Sequence, residues 1–255
     1  MKLKTTKVLV NKEIAKNTFL LRFKYKQNFL PTQFVLIDTY PKRFILKPFS
    51  IAGYDDGVVS IIYRVISDGT KLLSTLKPQD TLTFLGPFGN TKKFKDLLKN
   101  IKDKKVVFIA GGSGIASIIY LYNYLKKYTN TLQIFYGEKD KNYVINLKKF
   151  GIKNVVYTTD NGSFGEKSTV VDIFKTKNLD FDFLFCCGPK PMIKSLQTLL
   201  QGKNNIKTYV LMEEYICCGI GVCRSCVVKI KSDNDFVYQT VCSDGPLFNL
   251  TEVIL

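Results

Sequence analysis

Histidine is absent from all 255 residues. That absence excludes Ser-His-Asp and Cys-His catalysis, histidine-ligated zinc and Rieske-type clusters together. No apolar run approaches the roughly 20 residues needed to cross a bilayer. The N-terminal stretch MKLKTTKVLVNKEIAKN lacks the apolar segment and cleavage pattern of a signal peptide, so a cytoplasmic protein without a membrane partner is expected. Acidic residues are few, 21 against 38 lysines and arginines, for a net charge of +17. The lysines are scattered, with no arginine-rich arm and no basic stripe interleaved with aromatics, so no nucleic-acid partner is expected. The charge suits phosphate-bearing cofactors or an acidic partner protein. Internal repeats and low-complexity linkers are also missing.

What is present is ample core material, 45% hydrophobic and 13% aromatic, and seven cysteines at 186, 187, 217, 218, 223, 226 and 242. Their number is odd, and five lie within the last 39 residues. A disulfide framework would spread them over a short secreted chain, so a local metal site fits better.

Residues 1–98 read as a β-rich unit. TFLLRF (18–23), QFVLIDTY (33–40), VVSIIYRV (58–65) and TLTFL (81–85) are strand-like, separated by Pro41, Gly53, Asp56-Gly57, Asp68-Gly69 and Pro78. Strands at this spacing predict a small antiparallel barrel or sandwich. From residue 99 to 211 the pattern changes. KKVVFIAGGSG (104–114) reads as a buried strand entering a glycine turn, followed by Ile115, Ile118, Ile119, Tyr122 and Leu125 at helical spacing. Strands over 131–137, 154–159 and 182–189, a helix over 191–201 and a closing strand over 208–214 complete an α/β series. A parallel sheet with helices on both faces is expected. Residues 212–255 hold the cysteine cluster.

The cluster reads Cys218-Gly-Ile-Gly-Val-Cys223-Arg-Ser-Cys226, followed by Cys242. This C-x4-C-x2-C…C spacing is that of plant-type [2Fe–2S] ligation. Three thiolates come from one tight loop and a fourth from a later segment. Gly219 and Gly221 can take positive φ and turn backbone N–H groups towards the sulfurs, which delocalises their charge. A structural zinc site is the alternative, although zinc ribbons favour paired C-x2-C knuckles and only one is present. Cys217 duplicates the first position one residue early and reads as a packing residue.

Three further stretches carry binding signals. Lys47 and Ser50 place a cation and a hydroxyl three apart, able to contact a cofactor pyrophosphate and a flavin edge. A solvated lysine beside a turn is the equal alternative. Ile62-Tyr63-Arg64 and Gly69-Thr70 add a second such set. Gly111-Gly112-Ser113-Gly114 sits between a strand and a helix, where backbone amides form an anion site. It reads G-x-G-x-x-S rather than the full dinucleotide fingerprint, and a tight turn without ligand stays open. Glu138, past the next strand, can accept hydrogen bonds from a ribose diol, which favours NAD over NADP, although neighbouring Lys139 weakens that preference. Cys187-Gly188-Pro189 ends a strand at the carboxyl edge, where α/β sheets bind ligands. Cys187 can line a nicotinamide–flavin contact there, with Cys186 facing the core.

Taken together, the chain resembles the electron-transfer subunit of class 1B dihydroorotate dehydrogenase, within the ferredoxin–NADP reductase superfamily. The motif Glu213-Glu214-Tyr-Ile-Cys-Cys218-Gly-Ile-Gly-Val-Cys223-Arg-Ser-Cys226, completed by Val241-Cys242-Ser-Asp-Gly-Pro246, carries most of the resemblance. Lys47-Pro48-Phe49-Ser50, Tyr63-Arg64, Gly69-Thr70, Leu85-Gly-Pro-Phe-Gly-Asn90 and Cys187-Gly188-Pro189-Lys-Pro-Met192 also fall at family positions. The resemblance implies an FAD-binding β-barrel, a Rossmann-like nucleotide domain and a C-terminal [2Fe–2S] lobe. FAD would be held by residues 47–50, 62–64, Gly69 and Thr70, and NAD would be an exchangeable substrate. An FMN-containing catalytic subunit would be the partner in a 2+2 heterotetramer, and it would perform the dihydroorotate chemistry in pyrimidine biosynthesis. This chain would carry no catalytic residue for that step. Two departures stand out. Lysine replaces the usual arginine at 47, keeping charge but losing the bidentate fork. Ser113 stands where relatives often have glycine. Rival readings are a sulfide dehydrogenase or NAD(P)H–ferredoxin-type subunit and, from another class, a zinc-stabilised interaction module.

Overall fold

The computed structural model describes residues 2–39, 46–203, 205–232 and 235–255. Tyr40, expected to end the second strand, and the turn at Pro41 lie outside the described residues. Six antiparallel strands close a barrel: β1 (Lys4–Ala15), β2 (Thr18–Lys24), β3 (Phe34–Ile37), β4 (Lys47–Asp55), β5 (Val58–Arg64) and β6 (Thr81–Phe88), in the order β1-β2-β5-β4-β3-β6. Period-two alternation sends Leu21, Phe23, Val35, Ile37, Ile51, Val59, Ile61 and Phe84 into the interior. Two of these strands had no sequence counterpart. β1 alternates apolar residues with lysine and threonine, so it lacks a strong apolar run. β4 contains Pro48 and also Gly53, which reads as punctuation; Gly53 instead sits at a register shift between Ile51 and Gly53 that bends the strand. Helix α1 (Asp68–Thr75) follows β5, and α2 (Lys92–Leu98) follows β6.

The second layer system matches the expected α/β series. Strands β7 (Val106–Gly111), β8 (Leu132–Glu138), β9 (Val155–Thr159), β10 (Glu166–Lys167), β11 (Phe183–Cys187) and β12 (Lys207–Leu211) run parallel. Helices α3 (Ile115–Leu125), α4 (Val170–Thr176) and α5 (Lys190–Leu200) cover them. β7 is buried at every position because both faces are covered. The order is β10-β9-β8-β7-β11-β12-β15, where β15 (Leu247–Asn249) pairs antiparallel with β12. β12 thus ends the parallel series, and a strand from the last ten residues covers its edge, which would otherwise present unpaired backbone groups. The chain reverses direction across the sheet at β7, leaving a crevice outside the carboxyl ends of β7 and β11. The tail also forms a small sheet from β13 (Val227–Lys231), β14 (Phe236–Thr240) and β16 (Val253–Ile254).

Barrel, sheet and tail are joined by direct contacts. The Tyr120 hydroxyl on α3 donates to the Phe29 carbonyl of the barrel at 2.6 Å, and the Asn90 N–H donates to the Gly245 carbonyl of the tail at 2.6 Å. Among the described residues no helix is long and apolar enough to cross a membrane.

Candidate functional site

The thiol loop leaves β12 and is packed on the barrel. A Cβ on Gly219 would lie 3.0 Å from the Phe88 ring and 3.1 Å from Leu36, so only glycine allows this approach. Gly219, Gly221 and Arg224 take positive φ of 76°, 80° and 55°. The consequence is an inward set of amides. The Ile220 and Cys223 N–H groups each donate to the Cys218 sulfur at 3.5 Å, and the Gly221 N–H donates to the Cys242 sulfur at 3.1 Å. Cys242 is delivered by a separate turn. The Asp244 carboxylate accepts from the Thr240 N–H (2.7 Å) and hydroxyl (2.9 Å), and the Val241 N–H donates to the Cys226 carbonyl at 2.9 Å. Cys226 and Cys242 are buried, Cys218 is half-buried, and Cys223 and Cys217 are exposed.

Cys218 and Cys223 lie close together, and Cys242 lies close to Cys226 and also to Cys218. Among the described residues no three cysteine or carboxylate groups converge on one point as around a single ion. The Cys223 thiol is lowered to about 6, chiefly by its hydrogen bond with Ser225. Burial pushes the Cys242 thiol up to about 12. The donor set, four cysteine sulfurs with backbone amides aimed at two of them, fits an iron–sulfur group.

On the barrel, β4 carries the Lys47–Ser50 stretch. Residues three apart on a strand face opposite sides. Lys47 therefore shares a side with Phe49, which is buried edge-on against Tyr63, while Ser50 lines a small cavity with Ser117 and Glu213. The Tyr63 hydroxyl is inside the barrel, donating to Asn11 at 3.0 Å, and Ile62 is buried. Thr70 belongs to a capping box: its hydroxyl accepts from the Ile66 and Ser67 N–H groups at 2.9 and 3.0 Å. Thr70 thus shapes the start of α1. Beside it, a Cβ on Gly69 would lie 2.8 Å from the Thr39 hydroxyl oxygen, which is buried without a hydrogen-bond partner among the described residues. An orphaned hydroxyl next to a helix N-terminus is what a phosphate-bearing cofactor would satisfy. The barrel fits FAD on that observation.

At the crevice, the glycines of the β7–α3 turn divide their tasks. Cβ atoms on Gly111 and Gly114 would strike Met192 (2.7 Å) and the Cys187 carbonyl oxygen (2.4 Å). Those two glycines let the turn nest against Cys187-Gly188-Pro189. Gly112, at φ 56°, faces open space, with the Arg64 guanidinium 4.0 Å from its Cβ position. Gly112 and Ser113 are the part of this turn left for a ligand. Glu138 is buried, and its Oε1 accepts from Arg64 at 2.5 Å and from the Tyr136 hydroxyl at 3.0 Å. A ribose there would have to use the second oxygen. Tyr143 covers the Arg64 guanidinium, 5.0 Å from its ring centroid.

Cys186 and Cys187 lie on opposite faces of the sheet in different cores, as alternation requires. The Cys187 thiol is fully buried and contacts Ser117 and Glu213; burial first, then the Glu213 carboxylate, pushes it well above the ordinary thiol range. Glu213 and Ser117 were not singled out from the sequence as site residues. The signal was available for Glu213, a carboxylate two residues past the end of β12 at the ligand-binding edge. Burial raises its carboxyl above the ordinary 4.5.

A barrel beside a parallel sheet, with a switch-point crevice between them, defines the ferredoxin–NADP reductase class of oxidoreductase. The solved structure of an NADH-dependent reduced ferredoxin-NADP oxidoreductase, studied for flavin-based electron bifurcation, superposes with a TM-score of 0.84 at 25% identity, covering 98% of this chain and 89% of that one. The thiol loop narrows the class. Residues 213–254 match the family model of the iron–sulfur cluster binding domain of dihydroorotate dehydrogenase B. The electron transfer subunit of dihydroorotate dehydrogenase B (NAD(+)) from Caldanaerobacter subterraneus subsp. tengcongensis is 36% identical over 97% of each chain. Its counterpart in Clostridium acetobutylicum is 32% identical, over 98% of this chain and 96% of the relative. The chain belongs to the family of dihydroorotate dehydrogenase B electron transfer subunits.

Proposed function

We propose that this chain carries electrons out of a dihydroorotate-oxidising complex, as the flavo-iron–sulfur subunit of a pyrimidine-forming enzyme. The observation that carries this reading is the loop whose Ile220, Gly221 and Cys223 amides point at the Cys218 and Cys242 sulfurs, packed against the barrel. Cys218, Cys223, Cys226 and Cys242 are the proposed cluster ligands. When bound, the cluster and FAD let single electrons from the FMN of the partner leave in pairs as hydride on NAD.

The chain's own residues hold and orient these groups. Lys47–Ser50, Ile62–Arg64, Gly69 and Thr70 are proposed for FAD. Gly111–Gly114, Glu138 and Cys187–Pro189 are proposed for NAD, with Gly112 and Ser113 presenting open amides and Glu138 holding Arg64 beside them. The division into residues 1–98, 99–211 and 212–255 is proposed as a division of these tasks, with β15 reaching back from the last part to brace the second. The partner is proposed to be an FMN-containing catalytic subunit, two copies of each chain assembling in the cytoplasm.

The test is anaerobic co-expression with that partner, followed by absorption and electron paramagnetic resonance spectra before and after dihydroorotate. Expected are about two irons and two acid-labile sulfides per chain, bound FAD, and dihydroorotate-dependent NAD reduction. Stoichiometric zinc without labile sulfide would sink the proposal in favour of an interaction module. NADPH preference without dihydroorotate activity would favour a ferredoxin-type or sulfide-linked reductase.

A further inference from the structure

Thr32 precedes β3 with φ 76°, a left-handed backbone that a β-branched residue adopts only at a cost. It is 6% exposed, and its hydroxyl has no hydrogen-bond partner among the described residues. An unpaired buried hydroxyl costs about 1–3 kcal/mol. Two unfavourable features on one side chain call for a reason. Thr32 lines a cavity of about 20 Å³ where all three parts of the molecule meet. Ser50 and Ile51 come from the barrel, Ser117 and Leu211 from the α/β part, and Glu213 and Pro246 from the tail. About 10–15 Å³ is enough for one water when two or more polar groups surround it. Four residues with polar side chains, Thr32, Ser50, Ser117 and Glu213, are among those that line this space.

We propose that Thr32 anchors a single bound water in this cavity, shared with the Glu213 carboxyl across the seam between barrel and sheet. The left-handed turn brings the hydroxyl to the seam, and the water supplies its missing partner. On the other side, Glu213 already contacts the Cys187 thiol, which in turn contacts Ser117. One water then connects a barrel residue to the buried Cys187–Glu213 pair at the carboxyl end of the sheet. Thr32 is a positioning residue: it acts on Glu213 through the water.

The site is built from this chain's own groups and does not rest on the electron-transfer reading. Diffraction from the purified holoprotein tests it, for wild type, Thr32→Ser, Thr32→Val and Thr32→Gly. Expected is a water within hydrogen-bond distance of both the Thr32 hydroxyl and the Glu213 carboxyl, kept in Thr32→Ser and lost in the other two. Thr32→Gly relieves the backbone, so it keeps the comparison available even if Thr32→Val folds poorly. Infrared spectroscopy supplies the second readout. The Glu213 carboxyl band, identified by its disappearance in Glu213→Gln, should shift in Thr32→Gly and stay in place in Thr32→Ser. A cavity that holds no solvent, a flavin atom, or a water bonded to only one of the two residues overturns the proposal, as does an unshifted band in Thr32→Gly. A holoprotein with full iron and flavin but no such water overturns this inference alone.

Discussion

Cys217 and Cys218 are adjacent and chemically identical, yet the loop treats them differently. Two N–H groups point at the Cys218 sulfur, whereas Cys217 is exposed. Cys218→Ser should lose the cluster and Cys217→Ser should keep it, measured as iron and labile sulfide per chain. Gly221 has no room for a side chain, since a Cβ would lie 2.6 Å from the Ser243 hydroxyl at φ 80°. Gly221→Ala should destabilise the loop by roughly 1–3 kcal/mol and lower cluster occupancy. Lys47→Arg should restore a second charge-assisted hydrogen bond and tighten FAD binding about tenfold, roughly 1.5 kcal/mol; flavin fluorescence on dilution measures it. Glu213 gives a pH signature. Burial raises its folded value above the 4.5 of the unfolded chain, so the folded state binds more protons between the two values. Stability therefore falls as pH rises from about 4.5 through the folded value. Glu213→Gln should remove that decline in denaturation profiles taken across this range.

Between elements, the Arg64–Glu138 pair joins the last residue of β5 to the last residue of β8. Their side chains are 21% and 3% exposed, so the pair is only partly screened. Removing one partner of a buried pair costs about 3–5 kcal/mol; the exposure of Arg64 and the second donor from Tyr136 bring the expected loss to roughly 2 kcal/mol. Calorimetry of Glu138→Gln should show it. Arg64→Met with Glu138→Leu should recover most of it, because no unpaired charge is left behind. The pair also explains why a strand-end glutamate is an ambiguous signal. In sequence it looks free for a ribose, but the barrel strand that supplies Arg64 lies 74 residues earlier. Spacing along the chain carries no information about that meeting.

For the molecule as a whole, the net charge of +17 is spread over scattered lysines. Such a field accelerates association with an acidic partner and is screened by salt. Association with the catalytic subunit should slow at least about tenfold between low salt and 0.5 M salt. Diaphorase turnover of the isolated chain with an uncharged acceptor should change far less. The tail ties the whole together: it pairs β15 with β12, carries the four proposed cluster cysteines, and accepts the Asn90 N–H of the segment after β6 through Gly245.

Sequence alone determined the features that depend on near neighbours. The C-x4-C-x2-C spacing, the strand–glycine–helix run at 104–125 and the alternation of β11, which sends Cys186 and Cys187 to opposite faces, are local. They follow from side-chain period and backbone freedom. Tertiary structure decided what depends on distant partners. β1 and β4 are strands because barrel neighbours complete their hydrogen bonds, although lysines, Pro48 and Gly53 weaken their own signal. Thr70 turned out to cap α1, and Gly111 and Gly114 to pack against the Cys187–Pro189 turn, leaving Gly112 open. Glu213 and Thr32 acquired meaning only when barrel, sheet and tail closed around one cavity. Burial is a property of the assembled layers, and burial is what makes a hydroxyl or a carboxyl chemically consequential.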